Sequence, residues 1–160
     1  MSQSASELEQ EAEAKTRLRL WLKLLKVSRK VEAELRENLR TNFGTTLPRF
    51  DVMSALNRYP KGLRMSELSG VLKVSNGNVT GIVDRLVKGG LIIRSEVPGD
   101  RRALKARLTK RGQEDFLLQA KEHEAWIDNI LSDISLEEVD QIMGCLENVI
   151  PVALEEENNT

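Results

Sequence analysis

The stretch SNGNVTGIVDRLVKGGLIIRSEVPGDRRALKARL, residues 75–108, decides the fold. Its first half places Val79, Ile82, Val83 and Leu86 at helical spacing. Ser75 supplies a capping hydroxyl at the start, and Gly89-Gly90 ends the run. Leu91-Ile92-Ile93-Arg94-Ser95-Glu96 then reads as a strand by its β-branched content. Pro98-Gly99 is a turn signature, with Pro at i+1 and Gly at i+2. Ala103 to Leu108 returns as a second strand, alternating apolar and basic side chains. The stretch is a helix followed by a two-stranded hairpin with a basic tip.

Two shorter helices precede it. Thr46-Leu47-Pro48 opens one, a capping hydroxyl with a proline in the first turn, and Phe50, Met53, Leu56 and Tyr59 follow before the stop at Pro60. Residues 65–72 (MSELSGVL) give the next. Residues 48–110 therefore read as a winged helix-turn-helix. Outside it, residues 15–42 lack Gly and Pro and form a long helix ending at Gly44. Its apolar residues, from Leu20 to Leu39, cover an arc of roughly 200°, whereas a monomer's surface helix needs only about 100°. This helix is expected to meet both its own domain and a partner subunit. Thr109 caps a fifth helix running to about Ser132, and Ser135-Leu136-Glu137-Glu138 is a capping box opening the last. The expected class is mainly α with a small β-hairpin wing. Helices at 15–47 and 111–154, expected to dimerise, flank the winged helix-turn-helix of residues 48–110, with a flexible acidic segment at 1–14 and a flexible tail at 155–160.

Composition narrows the function. The 160 residues are 40% hydrophobic and 31% charged, which suits one globular domain. No stretch reaches the roughly 18–20 uncharged apolar residues of a membrane helix. Glu7, Glu9, Glu11 and Glu13 oppose a signal peptide's basic start, so a cytoplasmic location is expected. One cysteine and one histidine allow neither an internal disulfide nor a zinc site. No nucleophile–base set or phosphate loop appears, so neither an enzyme nor a cofactor is expected. The net charge of −1 hides a strong asymmetry. Residues 48–112 carry fourteen basic groups against five acidic, and residues 113–160 one basic against thirteen acidic. A basic centre of this kind suits a polyanion.

The fourth helix turns Gly77, Asn78, Gly81, Asp84, Arg85 and Lys88 away from its apolar face, with Asn76 and Thr80 at the flanks. Ser75 and Asn76 stand at its N-terminal end, where recognition helices meet base edges. Two exposed glycines cost helix stability, about 1 kcal/mol each relative to alanine, and make sense where another surface comes close. Ser75, Asn76, Asn78, Thr80, Arg85 and Lys88 are the expected contacts of this helix with double-stranded DNA. Arg101 and Arg102 on the tight turn suit a phosphate and a narrow minor groove respectively. Asp100 is expected to orient the tip through a salt bridge, and Asp84 to be structural, since phosphate repels a bare carboxylate.

Four segments carry a resemblance: Leu47-Pro48-Arg49-Phe50-Asp51-Val52-Met53; Met65-Ser66-Glu67-Leu68; Val74-Ser75-Asn76-Gly77-Asn78-Val79-Thr80 with Val83-Asp84-Arg85-Leu86; and Asp100-Arg101-Arg102 through Leu108-Thr109. In this order the chain resembles the MarR family of bacterial transcriptional regulators over about residues 15–150. One departure is Ala106, where the wing usually has Val or Leu. The resemblance implies a homodimer with interlocked first, fifth and sixth helices, reading a pseudo-palindrome whose half-sites lie about one helical turn apart. It also implies that a ligand or oxidant at the junction of the dimer and DNA-binding parts alters recognition-helix spacing. The motif neighbourhood looks most like regulators of aromatic-acid breakdown, so the expectation is a repressor released by a small anionic aromatic effector or an aryl-coenzyme A thioester.

Five residues are candidates for that effector: Trp21, Arg29, Arg36, Arg40 and His123. The competing reading makes Trp21 core and His123 a hydrogen-bonded interface residue. It pairs the three arginines with carboxylates of the acidic C-terminal helices, because an unpaired buried charge is costly. Cys145 reads as a buried inert thiol, with a redox sensor as the alternative. A winged-helix protein-interaction module that binds no DNA is the other alternative, opposed by the basic wing.

Overall fold

The protein is seen in a computed structural model that describes residues 2–72 and 76–150. Helix α1 spans Ser2–Phe43, and α2 spans Leu47–Arg58. Strand β1 (Leu63–Arg64) leads into α3 (Met65–Leu72) and α4 (Asn76–Lys88). Strands β2 (Ile92–Val97) and β3 (Asp100–Leu108) form the wing, and α5 (Lys110–Ile130) and α6 (Leu136–Glu147) follow. The sheet is antiparallel, in the order β1-β3-β2. Two features differ from expectation. The wing is a three-stranded sheet, because two residues after Gly62 pair with Ala106 and Lys105. A two-residue strand carries no periodic signal, so sequence pattern could not reveal it.

The second difference is at the N-terminus, where the helix expected from residue 15 extends back through residues 2–14. The reason is local. The segment holds four Glu, three Ala and two Gln, with no Gly or Pro. Its carboxylates pair one turn ahead, Glu11 with Lys15 at 2.6 Å and Glu13 with Arg17 at 3.0 Å. The 155–160 tail lies outside the described residues.

The core forms where α2, α3, α4 and the sheet converge. Val52, Met53, Leu68, Val79, Val83 and Ala106 have no exposed surface. Leu39 carries α1 into this core, and Phe116 carries in α5, its ring 5.5 Å from that of Phe50. Capping starts the helices as the sequence suggests. The Thr46 hydroxyl accepts from Arg49 N–H, and Ser135 and Glu138 complete the capping box.

Thr109 does more than cap α5. Its hydroxyl accepts the Gly112 N–H at 3.0 Å and donates to the Gly90 carbonyl at 2.7 Å, while its own N–H donates to Leu91 O at 3.0 Å. One residue thus ties the start of α5 to the junction between α4 and β2.

The outer helices keep apolar surface uncovered by this chain. Helix α6 has no buried residue, and Leu136, Ile142 and Met143 are exposed on it. Leu18, Leu20, Trp21 and Leu22 are exposed on α1, as are Leu117 and Leu118 on α5. Two burial expectations are therefore corrected for the single chain: Trp21 is 54% exposed, and the Cys145 thiol is exposed. Both lie on helix faces whose cover the chain does not itself supply.

Candidate nucleic-acid interface

Helix α4 is positioned by its inner face. Val79, Val83 and Leu86 are buried, with Ile82 half-buried beside them. That anchoring turns Asn78, Thr80, Gly81, Arg85 and Lys88 outward, all exposed. A Cβ added to Gly81 would meet nothing, so this part of the helix faces open space. Asn76 begins the helix, and Ser75 lies outside the described residues. The last turn carries Arg85 and Lys88, placing positive charge toward the carbonyl end of the helix.

The wing is aimed by three local features. Gly99 adopts φ +84°, the left-handed conformation that a Pro-Gly turn needs. The register shifts between Glu96 and Val97, an irregularity that re-aims the tip. Asp100 accepts a hydrogen bond from the Arg102 N–H at 3.1 Å. Its expected salt bridge is thus corrected: among the ion pairs of the described residues none involves Asp100. A short aspartate reaches the backbone two residues on more easily than a mobile guanidinium. Arg101 and Arg102 are left exposed on the tip.

An ion pair joins the helix to the wing. Asp84 Oδ1 lies 2.6 Å from an Arg94 terminal nitrogen, and Arg94 is only 25% exposed. Asp84 is thus structural, as its charge suggested, and Arg94 is a positioning residue that sequence reading passed over. The missed signal is the register, since Arg94 stands opposite buried Ala106 and so points to the core side. Asp84→Ala leaves a mostly buried guanidinium without its carboxylate. We expect about 1–2 kcal/mol of lost stability, read as a lower urea midpoint at unchanged m-value.

The effector candidates do not gather in one place. Arg36 and Arg40 share a cleft of about 200 Å³ with Thr45, Thr46, Leu47 and Pro48. Trp21 lies about 22 Å before Arg36 along α1, at 1.5 Å per residue. Arg36 pairs with Glu32 at 3.1 Å and Arg40 with Glu37 at 2.7 Å. Their partners are thus carboxylates of α1 itself, one turn away, rather than those of the C-terminal helices. Arg40 holds the Glu37 carboxyl below its ordinary range, chiefly through their hydrogen bond. Neither Arg29 nor His123 lines this cleft.

His123 instead stacks on Phe50, with ring centroids 4.5 Å apart and planes at 19°. Burial disfavours the imidazolium and pushes its pKa below the ordinary 6.5. The unfolded chain therefore binds more protons between the lowered value and 6.5. Stability is lost as pH falls through that window. His123→Phe keeps the stack and removes the titration. The variant's melting temperature is expected to drop less than the wild type's between about pH 7.5 and about pH 5.5.

Comparison with known proteins follows this geometry. A sequence model described as MarR family matches residues 43–103. A MarR family transcriptional regulator from Silicibacter pomeroyi is 32% identical, with a TM-score of 0.72 over 84% of this chain and 93% of that one. The chain belongs to the MarR family. The HTH-type transcriptional regulator MhqR of Bacillus subtilis (strain 168) is 28% identical over 82% of this chain and 90% of its own. A mutant MarR from E.coli, complexed with operator DNA, is 25% identical with a TM-score of 0.72, covering 82% of this chain and 94% of that one. This MarR-family chain is a DNA-binding transcriptional regulator and not an enzyme. No helix among the described residues is long and apolar enough to cross a membrane.

Proposed function

We propose that the chain acts in the cytoplasm as a homodimer that reads a pseudo-palindromic operator and represses transcription until an anionic aromatic effector releases it. The observation that carries this reading is the Asp84–Arg94 ion pair, which ties α4 to strand β2 of the wing and supports their acting together. Asn76 begins α4 at the end given to base reading, and Ser75, outside the described residues, is assigned the same role on its sequence position. Asn78, Thr80, Arg85 and Lys88 contact bases and phosphates along the groove. Arg102 enters the minor groove and Arg101 holds a phosphate. Residues 48–110 form the DNA-binding domain, and 15–47 with 111–154 form the dimer. The exposed apolar faces of α1, α5 and α6 support the second part, since patches of this extent mark interfaces. The E.coli relative bound to operator DNA supports the first.

For the effector, the cleft between α1 and α2 offers two guanidiniums beside the apolar Leu47 and Pro48. That combination suits an aromatic carboxylate or a thioester's phosphates. The test is binding of purified protein to DNA upstream of its own gene, against scrambled competitor at near-physiological salt. A panel of aromatic acids and their coenzyme A thioesters is then added. Release by one of them supports the effector class, and binding that none of them releases removes it. Absence of specific binding there and in genome-wide selection would leave a protein-interaction module.

A further inference from the structure

The outer face of the wing sheet carries a second row of positive charge. Across the ladder Arg64 stands opposite Lys105, Lys105 opposite Ser95, and Arg107 opposite Ile93. Side chains alternate along a strand, so these five share one face, while Leu63, Ala106, Leu108 and Ile92 fill the core on the other. Arg64 and Arg107 are exposed and Lys105 is half-buried. Like charges opposed across a ladder cost stability. None of the ion pairs among the described residues involves Arg64, Lys105 or Arg107. Glu67, the carboxylate nearest Arg64 in sequence, accepts from its backbone N–H at 2.6 Å. Gly62, at φ +85°, lets the chain lie against Ala106 O and Arg107 Cβ, one residue after exposed Lys61.

One member of this row, Arg64, also meets the wing tip. Arg64 and Arg102 line the same cleft of about 260 Å³, between the start of α3 and the wing, with Ser66 and Leu104 also in its wall. We propose that the outer sheet face is a second phosphate-binding surface, engaging the backbone of duplex DNA that flanks the half-site met by α4 and the tip. The proposal rests on the DNA reading above. Two properties select this occupant: the row is complementary to a polyanion, and its Arg64 shares a cleft with Arg102 of the tip. Arginines and a lysine on a flat sheet reach phosphate oxygens without entering a groove, so the contact is indifferent to sequence. Its contribution comes from counterion release and is therefore visible in the salt dependence of binding.

The test uses the full chain and a site that the protein selects from random-sequence DNA. The site is presented in a duplex of about 20 base pairs, room for two half-sites one turn apart, and in one of about 40. Wild-type protein is expected to bind the longer duplex more tightly and with a steeper salt slope. Arg64→Gln/Arg107→Gln is expected to lower that slope by about two per protomer on the longer duplex and leave the shorter unchanged. Unchanged binding to the shorter duplex also reports an intact fold. If the double variant fails to fold, Arg107→Gln alone carries the comparison, with a slope change of about one. Equal wild-type binding to both duplexes overturns the proposal, as does a loss by the variant that is the same on both. A protein that selects no duplex overturns the DNA reading itself, and this proposal with it.

Discussion

Gly112→Ala is expected to destabilise the fold by about 3–5 kcal/mol, because overlap with fixed backbone has no cheap relief. Gly112 is buried in the first turn of α5, where an added Cβ would overlap the Leu91 carbonyl oxygen. The neighbours cannot give way separately. Leu91 O already accepts from Thr109 N–H, and the Leu91 N–H donates to Leu86 O. A shift therefore disturbs the end of α4, the start of β2 and the cap of α5 together. The melting temperature should fall by roughly 6–20 °C, at about 2–4 °C per kcal/mol for a chain of this size. Gly144→Ala is the control: it lies in α6, where an added Cβ meets nothing, and alanine there improves helix propensity. Circular dichroism melts of both variants decide the matter. Matching melts would show that α5 does not rest on the Leu91 backbone.

The largest functional effect is expected from Arg102→Ala. The side chain sits exposed beyond a turn set by Gly99, and its backbone N–H is held by Asp100. Removing the guanidinium leaves that turn intact, so the fold should be unaffected. Loss of a groove-reading arginine costs about 1–3 kcal/mol, a drop in affinity of roughly 5- to 150-fold. Fluorescence anisotropy on labelled operator DNA measures it, and size-exclusion chromatography checks that the assembly is unchanged. Arg101→Ala should act differently, weakening all sequences alike and reducing the salt slope by about one per protomer. Wild-type affinity in the Arg102 variant would exclude the tip from the DNA contact.

The helices were legible because their signals are local. Thr46, Thr109 and Ser135 each cap in the structure as a hydroxyl before an apolar period suggests. The core of α4 was legible for the same reason, since its apolar residues recur at i, i+3, i+4 and i+7. What failed were statements about pairing. Asp100 takes a backbone N–H, and Arg36 and Arg40 take carboxylates one turn away on their own helix. Residue type says that a charge needs a partner, but only geometry says which one is nearest. Strand β1 failed on length, and Arg94 went unnoticed because its face depends on the register of a ladder. The exposure of Trp21 and Cys145 has another origin: an apolar helix face shows that it needs cover and not who supplies it.

The three hydrogen bonds of Thr109 have a mechanical consequence. They make the C-terminal end of α4 and the N-terminal end of α5 a single fulcrum, with a long arm on either side. Helix α5 has 21 residues and α4 has 13. At 1.5 Å per residue the arms measure about 30 Å and about 20 Å. A tilt of about 5° in the long arm swings the far tip of the short one by close to 2 Å. That tip is the N-terminal end of α4, the end to which the proposed function assigns the base edges. A displacement of this size is most of a hydrogen-bond length, so on the proposed reading a small strain among the outer helices would reach the groove as a broken contact.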